Sequence, residues 1–318
     1  MARAPADAEV ETPPEPDKAE GAPHPRHTLR LYGQEAAEAA FLGAWRSGRL
    51  PHAWLLTGPR GVGKATLAWR ITRALLAAEP GMFGETPPDS LDMNPADPVF
   101  RRVASLGEGR LRLLRRGWDE KAKRLRTQIV AEDARALREL FERTAADGGW
   151  RVAVIDSVDD CNAQAANALL KLIEEPPPRS LFLLVSHAPS RLLPTIRSRC
   201  RRLTLRPLGP EALSAALADA LAAEGVSPAP EGAEAAALAA LSDGSAGEAL
   251  RLMALDGPKL YAQLAAALSR APGMDRGLWQ DWAQAASGRE GEARFDAALR
   301  LVSALCTRLA RAAAGAPP

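Results

Sequence analysis

The chemistry-bearing residues of this chain begin at Gly58-Pro59-Arg60-Gly61-Val62-Gly63-Lys64, a spacing that spells a phosphate-binding loop. The glycines let backbone N–H groups fold around phosphate oxygens, and a helix starting near Lys64 adds its positive N-terminal end. Lys64 would reach the outer phosphates. The next residue is Ala65, where the motif needs a Ser or Thr hydroxyl to ligate magnesium. Thr66 comes one residue late, about 100° further round a helix, and so points away from that role. The loop reads as a nucleotide binder with compromised hydrolysis.

The second candidate group is the carboxylate of Asp156, which ends the apolar run Arg151–Asp156. A carboxylate at the end of a strand beside a phosphate loop helps to hold the metal; the alternative is an Asp that caps the next helix. Ser157 follows where hydrolytic loops of this type carry a glutamate, and a serine hydroxyl is a poor general base. Asp159 and Asp160 read as caps for a helix starting near Asn162. A third group is Ser198-Arg199-Cys200, within a basic stretch that also holds Arg197, Arg201 and Arg202.

The elements that must position these groups follow from periodicity. His52–Thr57 is a short apolar run, hence a buried strand, and Lys64–Ala78 has apolar residues at helical spacing. A helix is also expected before this strand, between His27 and Ser47. Beyond the loop, Arg110–Arg115, Arg151–Asp156, Leu181–Ser186 and Arg202–Leu205 read as strands. Ala131–Thr144 and Asn162–Glu175 read as helices, the latter stopped by Pro176-Pro177-Pro178. Strands alternating with helices imply a mostly parallel sheet covered on both faces. Residues 79–98 are rich in Pro and Gly and are expected to form a surface excursion. After Pro207 the chain is alanine-rich and helical.

Composition sets bounds. The chain has 318 residues, 47% hydrophobic and 25% charged, as in ordinary globular proteins, and is long enough for two or three domains. A net charge of +2 does not mark a nucleic-acid binder as a whole. No run reaches the 18 or so apolar residues of a membrane span, so no membrane partner is expected. The N-terminus lacks the apolar core of a secretory signal. The three cysteines, Cys161, Cys200 and Cys306, are too few and too scattered for a disulfide framework or a cysteine zinc site. A reduced, cytoplasmic protein is the expectation. Residues 1–27, Pro-, Ala- and Glu-rich without apolar period, are expected to be a disordered tail. The segment 101–126 holds ten basic and three acidic residues, either a solvated face or a phosphate-contacting one, with Trp118 available to stack on a base.

Taken in order, Gly58–Lys64, the strand ending at Asp156, Asn167-Ala168-Leu169-Leu170-Lys171 with Glu174-Glu175-Pro176-Pro177, and Ser198-Arg199-Cys200 resemble the bacterial clamp-loader subunits of the AAA+ class. The resemblance covers roughly residues 28–255. It implies an AAA+ P-loop α/β core over 28–207, a small helical lid over 208–256 and a C-terminal helical collar region for oligomerisation over 257–318. It also implies that Arg199 is an arginine finger acting in trans on a neighbour's γ-phosphate, a task suited to a planar, permanently charged fork. Family ATPases carry a nucleotide-sensing arginine in the lid, and Gly247 stands at the matching position. Loss of three features (at Ala65, Ser157 and Gly247) with Arg199 kept is similar to the delta-prime branch of the DNA polymerase III clamp loader.

That branch implies a subunit that is not an ATPase by itself but belongs to the DNA-directed DNA polymerase holoenzyme, as a scaffold during sliding-clamp loading in replication. The implied partners are gamma/tau and delta subunits in a hetero-oligomer, with the sliding clamp and primer–template DNA reached through the complex. The pocket formed by Gly58 to Thr66 with Asp156 is expected to admit ATP or ADP, with magnesium weak or absent. No zinc is expected, because the region after the loop helix lacks the family's four-cysteine module. Two alternatives stay open. An active gamma/tau-type ATPase would hydrolyse ATP alone and lose activity on Lys64→Ala; a P-loop adaptor with structural nucleotide would leave partner turnover indifferent to Arg199.

Overall fold

The computed structural model describes residues 14–19, 21–78, 86–142, 149–226, 229–269, 276–277, 280 and 292–315. In chain order the first part comprises α1 (Glu35–Arg46), β1 (Ala53–Thr57), α2 (Lys64–Ala77), α3 (Pro98–Ala104), β2 (Leu111–Leu114) and a hairpin of β3 (Trp118–Asp119) with β4 (Arg124–Leu125). There follow α4 (Ala131–Glu142), β5 (Arg151–Asp156), α5 (Ala163–Glu174), β6 (Ser180–Val185), α6 (Pro194–Arg199) and β7 (Arg201–Thr204). Five strands form one sheet in the order β2-β5-β6-β1-β7, every pair parallel. Parallel neighbours need crossovers, and the helices supply them on both faces. This is the α/β core expected from the sequence, a parallel sheet covered by helices.

Strand periodicity sorts the core into two layers. Trp54, Leu56, Val152, Val154, Leu181 and Leu183 face α1 and α2, where they meet Phe41, Trp45, Leu67 and Trp69. Ala53, Leu55, Ala153, Ile155, Phe182 and Leu184 face α4, α5 and α6. Burial on both faces is why β1, β5 and β6 read as continuous apolar runs rather than alternating ones.

Two elements were not legible as periodic patterns. Helix α3 starts inside the turn-rich stretch, with Asp97 accepting a hydrogen bond from the Val99 N–H and Pro98 at the first helical position. The β3–β4 hairpin is too short and charged to show a strand period. Part of the expected surface excursion, 79–85, lies outside the described residues.

Past Pro207 come α7 (Pro210–Ala223), α8 (Gly232–Ser242), α9 (Ala246–Ala254), α10 (Gly257–Leu268) and α11 (Glu292–Ala313). Leu213, Leu217 and Leu221 of α7 pack on Ala249 and Leu250 of α9. A further cluster joins Leu238 and Leu241 of α8, Leu252 of α9, Leu260 and Leu264 of α10, and Leu301 and Leu305 of α11. Among the described residues no helix is long and apolar enough to cross a membrane.

The reading of 1–27 as a disordered tail is corrected for the residues described. Residues 14–19 and 21–27 form a strap laid between core and helical region. Arg73 donates to the carbonyls of Arg26 and Thr28, both at 2.8 Å, and Arg26 Nε donates to the Ala104 carbonyl at 2.9 Å. Glu15 pairs with Arg26 at 2.5 Å and with Arg115 at 3.1 Å, while Asp17 pairs with Arg115 and, at 3.2 Å, with the buried His24. Ala22 joins the α7–α9 cluster. Ion pairs and arginine-to-carbonyl bonds hold this segment, so it shows no hydrophobic period. Residues 1–13 and Glu20 lie outside the described residues.

Candidate functional site

Loop 58–63 joins the C-terminal end of β1 to α2, the place where open α/β sheets bind ligands. A cavity of about 1200 Å³ opens there, walled by the strap, by Arg60 to Thr66 of the loop, by Asp156 and His187 at the ends of β5 and β6, and by Gly247 and Glu248 of α9. Gly58 and Pro59 stand behind this wall. Their carbonyls accept hydrogen bonds from the Lys64 ammonium at 2.7 and 2.6 Å, so the lysine closes on its own loop. The Ala65 methyl packs against the core and offers no oxygen to a cation. Thr66 lines the cavity one residue further along α2.

The helical region touches the loop directly. Ser245 Oγ donates to the Arg60 carbonyl at 2.7 Å and the Gly247 N–H to the Gly61 carbonyl at 3.0 Å. A Cβ on Gly61 would lie 2.3 Å from Ser245 Oγ, and one on Gly247 would lie 2.8 Å from Gly61 Cα. Two glycines facing each other allow backbone to meet backbone here. The missing side chain at Gly247 and the seating of α9 on the loop are therefore one structural fact.

Charge in the cavity is poised. Burial pushes the Asp156 carboxyl up to about 7, the Asp17 charge adds to this, and Lys64 opposes it. Burial likewise lowers the Lys64 ammonium to about 8, against the pull of Asp156 and Asp159. At Asp17 burial favours the neutral acid, but His24 and the Arg115 guanidinium outweigh it and hold the carboxyl below its usual range. A raised folded-state pKa contributes stability below the unfolded value near 4 and loses it as pH climbs through 7. Asp156→Asn is thus expected to gain on the native chain between pH 4 and 7, by about 4 kcal/mol, in thermal melts across that range. A gap that stays constant with pH would contradict this.

The cavity has room for a nucleotide, and Arg60, Lys64 and the loop amides are the groups that would hold its phosphates once Lys64 releases its two carbonyls. The donor set fits magnesium poorly, because Ala65 supplies no ligand and Ser157 is buried beside Asp156. Among the described residues no cluster of three or more His, Cys, Asp or Glu side chains is arranged to hold a metal.

The expected capping roles of Asp159 and Asp160 are corrected. Asn162 itself caps α5, accepting from the Ala165 N–H at 2.8 Å. Asp159 instead accepts from Ser186 Oγ at 2.9 Å and from the N–H groups of His187 and Ala188 at 2.5 and 3.2 Å, which fixes the turn after β6. Asp160 lies 3.6 Å from Arg116. His187 was missed by sequence reasoning, although a polar residue just past a parallel strand's C-terminal end is a position to inspect. Asp17, His24 and Glu248 gave no such signal.

Arg199 lies apart from this cavity. It ends α6, is 41% exposed, and pairs with Glu174 at the end of α5 at 2.8 Å, with a further bond to the Thr195 carbonyl at 3.3 Å. The neighbouring Cys200 is buried in the layer that includes Ile173 and Ile196, and burial pushes its thiol up to about 12. The cysteine anchors the turn while the arginine stays outside. In the basic segment, Arg102 and Arg110 pair with Glu108, Arg115 with the strap and Arg126 with Asp133, so much of its charge is met within the chain.

The model of the family described as "DNA polymerase III, delta subunit" matches residues 33–209. The delta-prime subunit of DNA polymerase III from Pseudomonas aeruginosa is 37% identical over 152 residues, 47% of this chain and 41% of that protein. The Bacillus subtilis delta-prime subunit is 31% identical over 180 residues, 57% of this chain and 48% of that protein. The gamma/tau subunit of Mycobacterium bovis is 31% identical over 202 residues, 64% of this chain and 32% of that protein. The chain thus spans less than half the length of each of these curated relatives. The Thermotoga maritima RuvB Holliday junction branch migration motor is 18% identical, with a TM-score of 0.43 over 80% of this chain and 70% of that one. A matched segment covering more than half of the sequence, from just before α1 to just past β7, carries the assignment: the chain belongs to the DNA polymerase III, delta subunit family.

Proposed function

We propose that this chain is a clamp-loader subunit of the delta-prime type, a scaffold that completes a neighbour's ATP site rather than turning over ATP itself. The observation that carries the reading is the contrast between two sites. The chain's own loop has lost its metal-binding hydroxyl, has its lysine bonded back to Gly58 and Pro59, and is covered by α9. Arg199, by contrast, is presented to solvent by a buried anchor and lies apart from that loop.

On this reading Arg199 reaches the γ-phosphate bound by an adjacent gamma/tau subunit. Turnover there is then coupled to placing the sliding clamp on primer–template DNA in the cytoplasm. On the same reading the α7–α9 unit is a lid and the α10–α11 unit a collar, with divisions at about residues 207 and 256. A nucleotide in the chain's own pocket would be a structural ligand held by Arg60 to Thr66 without tight magnesium.

The test is ATP turnover by a reconstituted loader carrying Arg199→Ala. A large drop with assembly intact supports the reading, and an unchanged rate rejects it. Hydrolysis by the isolated chain that is abolished by Lys64→Ala would reject the scaffold role separately.

A further inference from the structure

We infer that Glu174 is a positioning residue for Arg199, an intrachain counter-ion that holds the guanidinium until a neighbour's phosphate displaces it. The inference rests on the finger reading and goes beyond it by naming what the finger binds when no phosphate is there. Glu174 Oε1 and Arg199 Nη2 are 2.8 Å apart, while Arg199 Nη1 donates to the Thr195 carbonyl at 3.3 Å. The fork that would grip a phosphate is thus already occupied by oxygen acceptors of its own chain.

The packing makes this a built contact. Glu174 is the last residue of α5, whose Leu169 and Ile173 share a buried layer with Ile196 of α6 and with Cys200 beside the arginine. The proline run after Glu175 stops α5 there, so the carboxylate cannot move along the helix. The two side chains are 41% and 37% exposed, which keeps the pair weak enough to exchange. A γ-phosphate brings more negative charge and a matching set of oxygens to the same fork. Glu174 therefore competes with phosphate: it aims the guanidinium in the resting assembly and sets a threshold for its transfer.

The experiment compares the native loader with loaders carrying Glu174→Gln, Arg199→Ala and both, using ATP as the probe. Glu174→Gln removes the competing charge at constant shape. It should lower the KM for ATP at the neighbouring site by about threefold, the size of a solvent-exposed ion pair, with kcat within about twofold. Glu174→Asp, which keeps the charge, should leave KM nearer the native value. In the Arg199→Ala background the effect of Glu174→Gln should vanish, because nothing is left to hold; a purely structural role would persist there. An unchanged KM, the same KM shift in both backgrounds, or a loss of turnover as deep as that of Arg199→Ala would overturn the inference. If Arg199→Ala alone leaves partner turnover intact, the finger reading has failed instead.

Discussion

Arg199→Ala is expected to cut ATP turnover at the neighbouring subunit by up to about 10³-fold while the chain stays folded and assembled. The size follows from what a trans-acting guanidinium does: it meets charge spread over the transferring phosphoryl oxygens in a site from which water is excluded. The tolerance of the fold follows from the surroundings. Arg199 is 41% exposed and its ion pair with Glu174 is solvent-facing. Such pairs contribute about 0–1 kcal/mol, so stability should barely change. The buried anchors Ile196 and Cys200 are untouched. Arg199→Lys keeps the charge without the planar fork and should recover only part of the rate. Turnover and the size of the assembly, measured on the same preparation, check the result; native turnover in an intact assembly of the alanine variant contradicts it.

Gly247→Arg, which puts an arginine where the resemblance to clamp-loader ATPases expects one, is expected to damage the protein rather than revive the site. A Cβ at 247 would stand 2.8 Å from Gly61 Cα and 3.3 Å from its carbonyl oxygen, and backbone cannot yield as a flexible side chain does. Either α9 lifts off the loop, losing the Ser245–Arg60 and Gly247–Gly61 bonds, or the loop deforms. Overpacking of this kind costs about 2 kcal/mol, enough to lower the melting temperature by several degrees. ATP affinity should not improve, since Ala65 still lacks the metal-binding oxygen. Thermal unfolding and nucleotide titration of the variant are the checks. An undiminished melting temperature together with tighter ATP binding would refute the link between the bare Gly247 and the seating of α9 on the loop.

The regular elements of the core were legible wherever burial imposes a period. β1, β5 and β6 are apolar on both faces, and α2 and α5 carry apolar residues at helical spacing, so their limits fall within a residue or two of those read from the sequence. The glycine pattern and Lys64 located the loop in the same way, because only certain residue types tolerate its backbone. Legibility failed where polar bonds replace apolar packing. The strap over 14–27 is held by Arg26, Arg73 and Arg115 against carbonyls and carboxylates, and its Pro- and Glu-rich composition imitates a solvated tail. Asp159 failed for a similar reason: its partners at Ser186–Ala188 lie some 27 residues away, whereas a cap is a local expectation.

The sequence by itself determined the glycine pattern of Gly58–Lys64 followed by Ala65, the strand carboxylate Asp156 followed by Ser157, and the separate Ser198-Arg199-Cys200 block. These are statements about which side-chain chemistry the chain contains, and composition and spacing carry them. Only the tertiary structure decided what those groups touch. It turned Lys64 back onto Gly58 and Pro59, set Gly247 against Gly61, brought Asp17 of the strap within electrostatic reach of Asp156, and placed Arg199 against Glu174 outside the cavity. Each of these depends on which helix lies across which strand end. That is fixed by burying two faces of one sheet and two helical clusters together, a global packing condition that local spacing does not encode.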